Sequence, residues 1–408
     1  MHIAVIESKL DGRGGSQRQA LSFALAFQKL GHRVTVYTMA YAPERCFPEL
    51  VRELKVIALP SGAIRKGRSI PFFGALNYIL RSHEETCHAR ILAGLIDPAT
   101  EILNPHDRLA FRVVALYKKE HKNIPSVLMM SDILTRSWIA WRRAEFDSHY
   151  RLTGLKKLFF RLLDEYEVRR FIKPHEGMMV LDTRTRDWAK KYFHKNAVIV
   201  RSGVDVEHFP YRERAAPRRD SIKLLVAGVF FLHRRYEDAI EAVSLLRKNG
   251  YGASLTIVGG NGGNEEYRGY CARLTALVRK RGVADAVSFP GHVSEEELIS
   301  HYRTSHIYIS PNPLQSWGLA VFEAMATGLP VIVSKTAGAS EVLTDHKNAL
   351  LIDPKSPEQI ANAVQELIDN PELYQRLSRD GRAFVEREIG WKYSAKNALK
   401  LFEEILRS

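Results

Sequence analysis

The residues of this chain best suited to chemistry lie between Ser310 and Pro330. The strand-like run Ile307-Tyr308-Ile309 gives way there to Asn312-Pro313-Leu314-Gln315-Ser316-Trp317-Gly318, and a helical apolar pattern starts near Leu319. A strand, a glycine-containing loop and a helix in that order leave free backbone amides at the helix start. Their partial positive charge suits a diphosphate. Glu323, about one turn into the helix, is placed to accept hydrogen bonds from ribose hydroxyls. A lone glutamate there is usually a solvated helix residue, so its weight comes from the pattern around it. A first glycine loop, Gly12-Arg13-Gly14-Gly15-Ser16, also joins a strand to a helix, and the amides of Gly14 and Gly15 can receive a phosphate or sugar oxygen. It does not fit a nicotinamide fingerprint. The third glycine would fall on Gln17, and the next strand ends Thr38-Met39 with no acid for a ribose. His106-Asp107 follow another strand tip. For a metal there is neither an Asp-x-Asp nor a His/Cys cluster with ligand spacing; His83 and His88 stand five apart, off a common helix face.

The elements that must position these groups alternate. His2 to Glu7 reads as a strand, Ala20 to Leu30 as a helix stopped by Gly31, and Val34 to Tyr37 as a second strand, which together make a βαβ unit. The pattern continues with strand signals at Ile102–Asn104, Ser126–Met130, Met178–Leu181 and Val198–Val200. Residues 136–175 interrupt it with a basic, aromatic-rich helical stretch. A polar, proline-containing segment, Arg212 to Asp220, reads as a linker. Beyond it a second alternation sets strands at Ile222–Ala227, Ser254–Val258, Val287–Phe289, Ile307–Ile309 and Val331–Val333 among helices. The expected architecture is α/β, with two Rossmann-like doubly wound domains facing a central cleft and ligands at the carboxyl ends of the strands. The expected boundaries are 1–210 for the N-terminal domain, joined by a C-terminal helix at 388–408, and 211–387 for the C-terminal domain.

Composition sets the setting. At 408 residues the chain is too long for one ordinary core. No window approaches the roughly 18 uninterrupted apolar residues of a membrane span. Three scattered cysteines and an opening that runs straight into a strand point to a cytoplasmic protein. The net charge is +14, of which residues 1–210 hold about +12. That asymmetry, with the Arg/Lys/Phe-rich stretch 151–173, points to an anionic membrane face as a partner and a peripheral position on its inner side. The other reading of that stretch is a core-facing stripe of Leu152, Leu155, Leu158, Phe159, Leu162 and Leu163. Nucleic acid is set aside, because no aromatic-basic RNA motif is present.

The segment 310–330 resembles the signature of family 4 glycosyltransferases, in which a Glu, a Gly-Leu and a second Glu precede Ala-Met-Ala-x-Gly-x-Pro. The likeness extends along nearly the whole chain: Gly14-Gly15 and Gly31 to Val36, Val200-Arg201-Ser202-Gly203-Val204-Asp205 with Phe209, Leu255 to Gly260, Val287 to Val293, Gly338 to Val342, Asn348 to Leu351, and Gly390-Trp391. The resemblance implies a GT-B fold, with a nucleotide-sugar donor in the C-terminal domain and the acceptor mostly in the N-terminal one. It also implies transfer with retention at the anomeric carbon and no metal. Carried over, it assigns Gly14, Gly15, Arg234, Arg235, Gln315, Ser316, Trp317, Gly318, Leu319 and Glu323 to donor binding, and Arg234, Gln315, His106 and Asp107 to catalysis.

Three positions depart from the pattern. Gln315 stands where the first Glu belongs, Val229 where an Arg does, and Ser131 (followed by a matching Asp132) where a His does. The expectation is a hexosyltransferase acting on a glycan or lipid-linked acceptor in cell-surface polysaccharide or glycolipid synthesis. Its alternative is a non-catalytic GT-B relative that binds a nucleotide sugar or glycan as a partner subunit.

Overall fold

The computed structural model describes residues 1–60, 74–121, 124–133, 135–147, 150–260 and 265–408. Positions 148–149, inside the stretch read as helical, lie outside the described residues. The chain divides into two compact units: Met1–Ala140 with Leu152–Ser202 and Trp391–Ser408, and Trp141–Arg151 with Gly203–Gly390.

In the first unit, β1 (His2–Ile6), β2 (Arg33–Thr38), β3 (Val56–Ala58) and β4 (Ile102–Pro105) form a parallel sheet in the order β3-β2-β1-β4. Every residue of β1 is buried, as suits a strand covered on both faces. A parallel bridge between Leu103 and Ser126 carries this order on to β5 (Val127–Met130), β6 (Gly177–Val180) and β7 (Val198–Ile199). The order reverses between β1 and β4, which is where a doubly wound sheet leaves a crevice at its carboxyl end. Helices α1 (Gly15–Lys29), α2 (Gly74–Ala93), α3 (Arg108–Glu120), α4 (Arg136–Phe146, of which only the part to Ala140 counts with this unit) and α5 (Gly154–Glu167) alternate with the strands. Two core clusters result, one built around Ala4, Ile6, Leu103 and Val113, the other around Leu128, Met130, Met178 and Phe193.

In the second unit, β8 (Ile222–Ala227), β9 (Ala253–Val258), β10 (Val287–Gly291), β11 (Ile307–Ser310), β12 (Val331–Ser334) and β13 (Leu350–Ile352) make one parallel sheet in the order β10-β9-β8-β11-β12-β13. Its helices are α6 (Tyr236–Lys248), α7 (Glu265–Arg281), α8 (Glu295–Thr304), α9 (Leu319–Ala326), α10 (Pro357–Asp369) and α11 (Pro371–Glu388). The closing helix α12 (Trp391–Arg407) counts with the first unit, where Trp391 meets Phe23 edge-on at 5.3 Å and Phe402 lies 5.5 Å from Phe27.

One feature has no counterpart in the sequence reading, and one of its two readings of α5 is overturned. Trp141–Arg151 belongs to the second unit: Phe146 packs edge-on against His233, and Lys355 lies over the Phe146 ring and pairs with Glu145 at 3.2 Å. The α5 stripe is also not core-facing. Leu155, Leu158, Phe159 and Leu162 are exposed, and only Leu152 and Leu163 are half-buried.

Candidate functional site

In the second unit, the switch point between β8 and β11 collects the residues that the sequence marked. The ends of β8 and β9 come so close that Gly259, at φ +131°, has no room for a side chain. A Cβ there would stand 2.1 Å from the Gly228 carbonyl oxygen. After β8 the chain makes a 3-10 turn, Leu232–Arg234, passes through a left-handed Arg235 at φ 58°, and enters α6. The two arginines are used differently. Arg235 donates from Nε to Asp238 at 3.0 Å and lies 3.6 Å from Glu237. Arg234 forms no ion pair among the described residues, and its buried Nε has no hydrogen-bond partner. Its charge reaches the phenols of Tyr236 and Tyr308, which burial pushes up and Arg234 pulls down. Glu323 acts on Tyr308 in the opposite sense, so both charges lie within reach of the β11 end.

The loop from β11 to α9 is built by its own polar groups. Asn312, 2% exposed, accepts from the Leu314 amide at 3.0 Å, while its Nδ2 has no partner among the described residues. The Gln315 carbonyl accepts from the Gly338 amide at 2.7 Å, and the Gln315 side chain lies over Gly318. Gly318 caps α9 at φ +95°, with the Gln315 amide 3.0–3.2 Å from where a Cβ would sit. Its conformation and that contact both require glycine. Ser316 is buried, and the Trp317 ring stacks on Phe322 at 4.6 Å inside the core, so Trp317 presents backbone rather than an indole face. Leu319 begins the helix. Glu323, buried in its second turn, accepts from the Tyr302 hydroxyl at 2.9 Å.

In the first unit a second polar cluster sits at the carboxyl ends of β1, β4 and β5. Gly14 is the extended N-cap of α1 and Gly15 its first residue. Ser16 donates to Glu7 at 2.9 Å. Burial raises the Glu7 carboxyl well above its ordinary value, and Asp107 raises it further by charge and by hydrogen bonding. Asp107 caps α3 through the amides of Leu109 and Ala110 and also accepts from the Ser8 amide at 2.6 Å. His106 is 1% exposed; its Nε2 pairs with Asn104 Oδ1 at 2.8 Å, while the Asn104 amide donates to the Val127 carbonyl. Because Oδ1 only accepts, Nε2 carries the proton, and Nδ1 is a buried lone pair with no hydrogen-bond partner among the described residues. Burial lowers this imidazole to about 3. Ser131, one of the three departures, donates to Gln19 Oε1 at 2.5 Å, and Gln19 Nε2 donates to Ser202 at 2.6 Å.

Residues 208–384, all within the second unit, match the family model of Glycosyl transferases group 1. The chain carries a group 1 glycosyltransferase domain. Over 411 residues it is 23% identical to the mannosylfructose-phosphate synthase of Agrobacterium fabrum, covering 96% of this chain and 86% of that one. It is 27% identical over 204 residues to the glycogen synthase of Mycobacterium tuberculosis, an alignment that spans 50% of this chain and 47% of the relative. Among solved structures, the Anabaena protein HepE in complex with UDP and glucose superposes with a TM-score of 0.73 at 13% identity, covering 98% of this chain and 99% of that one. The fold is GT-B.

Within the glycosyltransferase domain the structure gathers Arg234, Arg235, Gln315, Ser316, Gly318, Leu319 and Glu323 around the carboxyl ends of β8 and β11, as it does the backbone of Trp317. Gly14, Gly15, His106 and Asp107 belong to the other unit. Four polar participants were not singled out from sequence: Tyr302, Asp238, Gln19 and Glu7. Tyr302 and Gln19 lie on helices where nothing in the spacing marks a polar role. Glu7 was read as the end of an apolar run, although a carboxylate closing a buried parallel strand is itself a signal.

Proposed function

We propose that this protein moves a hexosyl group from a nucleotide-diphosphate sugar to a glycan or lipid-linked acceptor with retention of anomeric configuration. The setting is cell-surface polysaccharide or glycolipid synthesis in the cytoplasm, at an anionic membrane face. The observation that carries this reading is Arg234, a cation without an ion pair among the described residues, in the same unit as a glycine-capped helix start. The bond to be broken already has a good leaving group. An arginine and helix-end amides that hold the departing diphosphate supply the charge stabilisation, and no metal is required. Glu323, oriented by Tyr302, takes the ribose hydroxyls. Gln315, lying over Gly318, takes a sugar hydroxyl. The departing phosphate serves as base for the incoming hydroxyl, so retention needs no strong side-chain base. The acceptor is assigned to the first unit, beside the His106–Asp107 pair.

The test is a thermal-shift screen against UDP, GDP, ADP and their sugar conjugates with EDTA present. A ligand at about 100 times its Kd should add about 2.7 kcal/mol. A shift from one nucleotide family names the base; no shift from any removes the donor role.

A second reading is a non-catalytic relative that binds donor as a partner subunit. The observation that favours it is Ser131, at the position of a family histidine and tied to Gln19. Donor hydrolysis without acceptor separates the two: turnover supports the enzyme, and binding without turnover supports the partner.

A further inference from the structure

Helix α5 is turned with its acids inward and its leucines outward. Asp164 and Glu167, both buried, form its inner side. Asp164 accepts from the amides of Arg136 and Ser137 at 2.8 and 2.9 Å and so caps α4. Glu167 is held by Arg112 at 2.6 Å, Arg136 at 2.8 Å and Arg108 at 3.0 Å. This ionic inner face locks the rotation of the helix, and the opposite side is apolar. Leu155 is 83% exposed, Leu158 56%, Phe159 42%, Leu162 61% and Tyr166 57%. At helical spacing these five fall within an arc of about 100°. Single exposed apolar residues need no explanation, but a contiguous row along one helix face does.

The surroundings identify what covers it. Lys156, Lys157, Arg161, Arg169, Arg170 and Lys173 are all exposed around the row. The exposed acid of the segment, Glu165, pairs with Arg169 at 2.6 Å. Two copies of this face brought together would oppose like charges. A bilayer with anionic headgroups offers apolar depth and negative phosphates in a single surface.

We propose that α5 is a membrane-docking helix that sinks Leu155, Leu158, Phe159, Leu162 and Tyr166 into the headgroup region of an anionic bilayer, with the flanking lysines and arginines on lipid phosphates. This deepens the membrane part of the reading above and rests on it, whereas sugar transfer is read out separately.

The test is co-sedimentation of the full chain with phosphatidylcholine–phosphatidylglycerol vesicles and with phosphatidylcholine alone, at low and high salt. The wild type should bind the anionic vesicles and release them as salt rises. Leu158→Ser/Leu162→Ser and Lys156→Glu/Lys157→Glu should each weaken binding roughly tenfold or more. Melting temperature and the donor-induced thermal shift should stay unchanged, because these side chains are exposed. Three outcomes would overturn the proposal: no preference for anionic vesicles, variants that bind as well as wild type, or a wild-type dimer in solution that the leucine variant dissolves. Vesicle binding without any donor shift would instead remove the donor reading and leave α5 as proposed.

Discussion

The phenol of Tyr302 donates a 2.9 Å hydrogen bond to Oε2 of Glu323, linking α8 to the helix that opens the candidate donor site. Tyr302 is fully buried, edge-on to Phe209. Its hydroxyl therefore orients a carboxylate without being reachable by ligand. Tyr302→Phe keeps the ring and removes the bond. Nucleotide affinity should fall by about threefold to tenfold, as for one lost hydrogen bond. Glu323→Ala should cost more. Isothermal calorimetry with the nucleotide found by thermal shift decides: unchanged affinity in both variants takes Glu323 out of donor binding.

Arg234 and Arg235 are neighbours with separable roles. Arg234→Ala removes a cation that has no ion pair among the described residues, so the melting temperature should barely move. Turnover should drop roughly 100-fold with a smaller change in KM, because diphosphate charge grows as the glycosidic bond breaks. Arg235→Ala strands Asp238, a buried carboxylate, and should destabilise the protein by about 1–3 kcal/mol. Steady-state kinetics and calorimetric melts on both variants provide the check. A raised KM with kcat unchanged in Arg234→Ala would mean plain ground-state binding.

Gln315 tests the main departure from the family pattern. Its amide lies over Gly318, at the start of α9. Gln315→Glu sets a negative charge there, and if the side chain contacts the sugar, donor preference among nucleotide sugars should change. Gly318→Ala pushes a Cβ into the same amide at a backbone angle that alanine rarely adopts, and should lower affinity for every donor alike. Competition assays across the conjugates separate these patterns. An unaltered preference in Gln315→Glu makes the residue structural.

The alternation of strand and helix, and the glycine turns, were legible because parallel strands buried on both faces must be apolar throughout and helices end where glycine permits it. Gly318 and Glu323 were legible because they follow a strand end in a fixed order, and Arg234 was reached through the family resemblance. What remained hidden depends on contacts between distant positions. Gln19 reaches Ser131 and Ser202 only once β5 and the chain after β7 lie beside α1. The sequence sets Arg234 and Arg235 side by side as cations, and only the ion pairs of Arg235 with Asp238 and Glu237 show how differently the two are used. For α5, an amphipathic stripe says that a helix has two faces but not which one meets the core. The buried ion cluster around Glu167 decides that.

Glu7 and His106 make stability depend on pH with opposite signs. The Glu7 carboxyl is raised by burial first and by Asp107 second, with Ser16 partly offsetting them. The native state therefore holds a proton that the unfolded chain releases above the ordinary value of 4.5. Its contribution is full below that value and is lost as pH rises toward the folded pKa. Glu7→Gln mimics the protonated form. It should melt above wild type at pH 8, and that advantage should shrink as pH falls toward 4.5. His106 runs the other way. Burial lowers it from 6.5 to about 3, so the native state refuses a proton that the unfolded chain accepts, and stability is lost as pH falls through that window. His106→Gln should flatten the acid side of the profile and leave the alkaline side as it was. Melting temperatures of wild type and both variants from pH 4 to 8 are the measurement. If Glu7→Gln confers no alkaline advantage, burial and Asp107 do not hold the Glu7 carboxyl above its ordinary value.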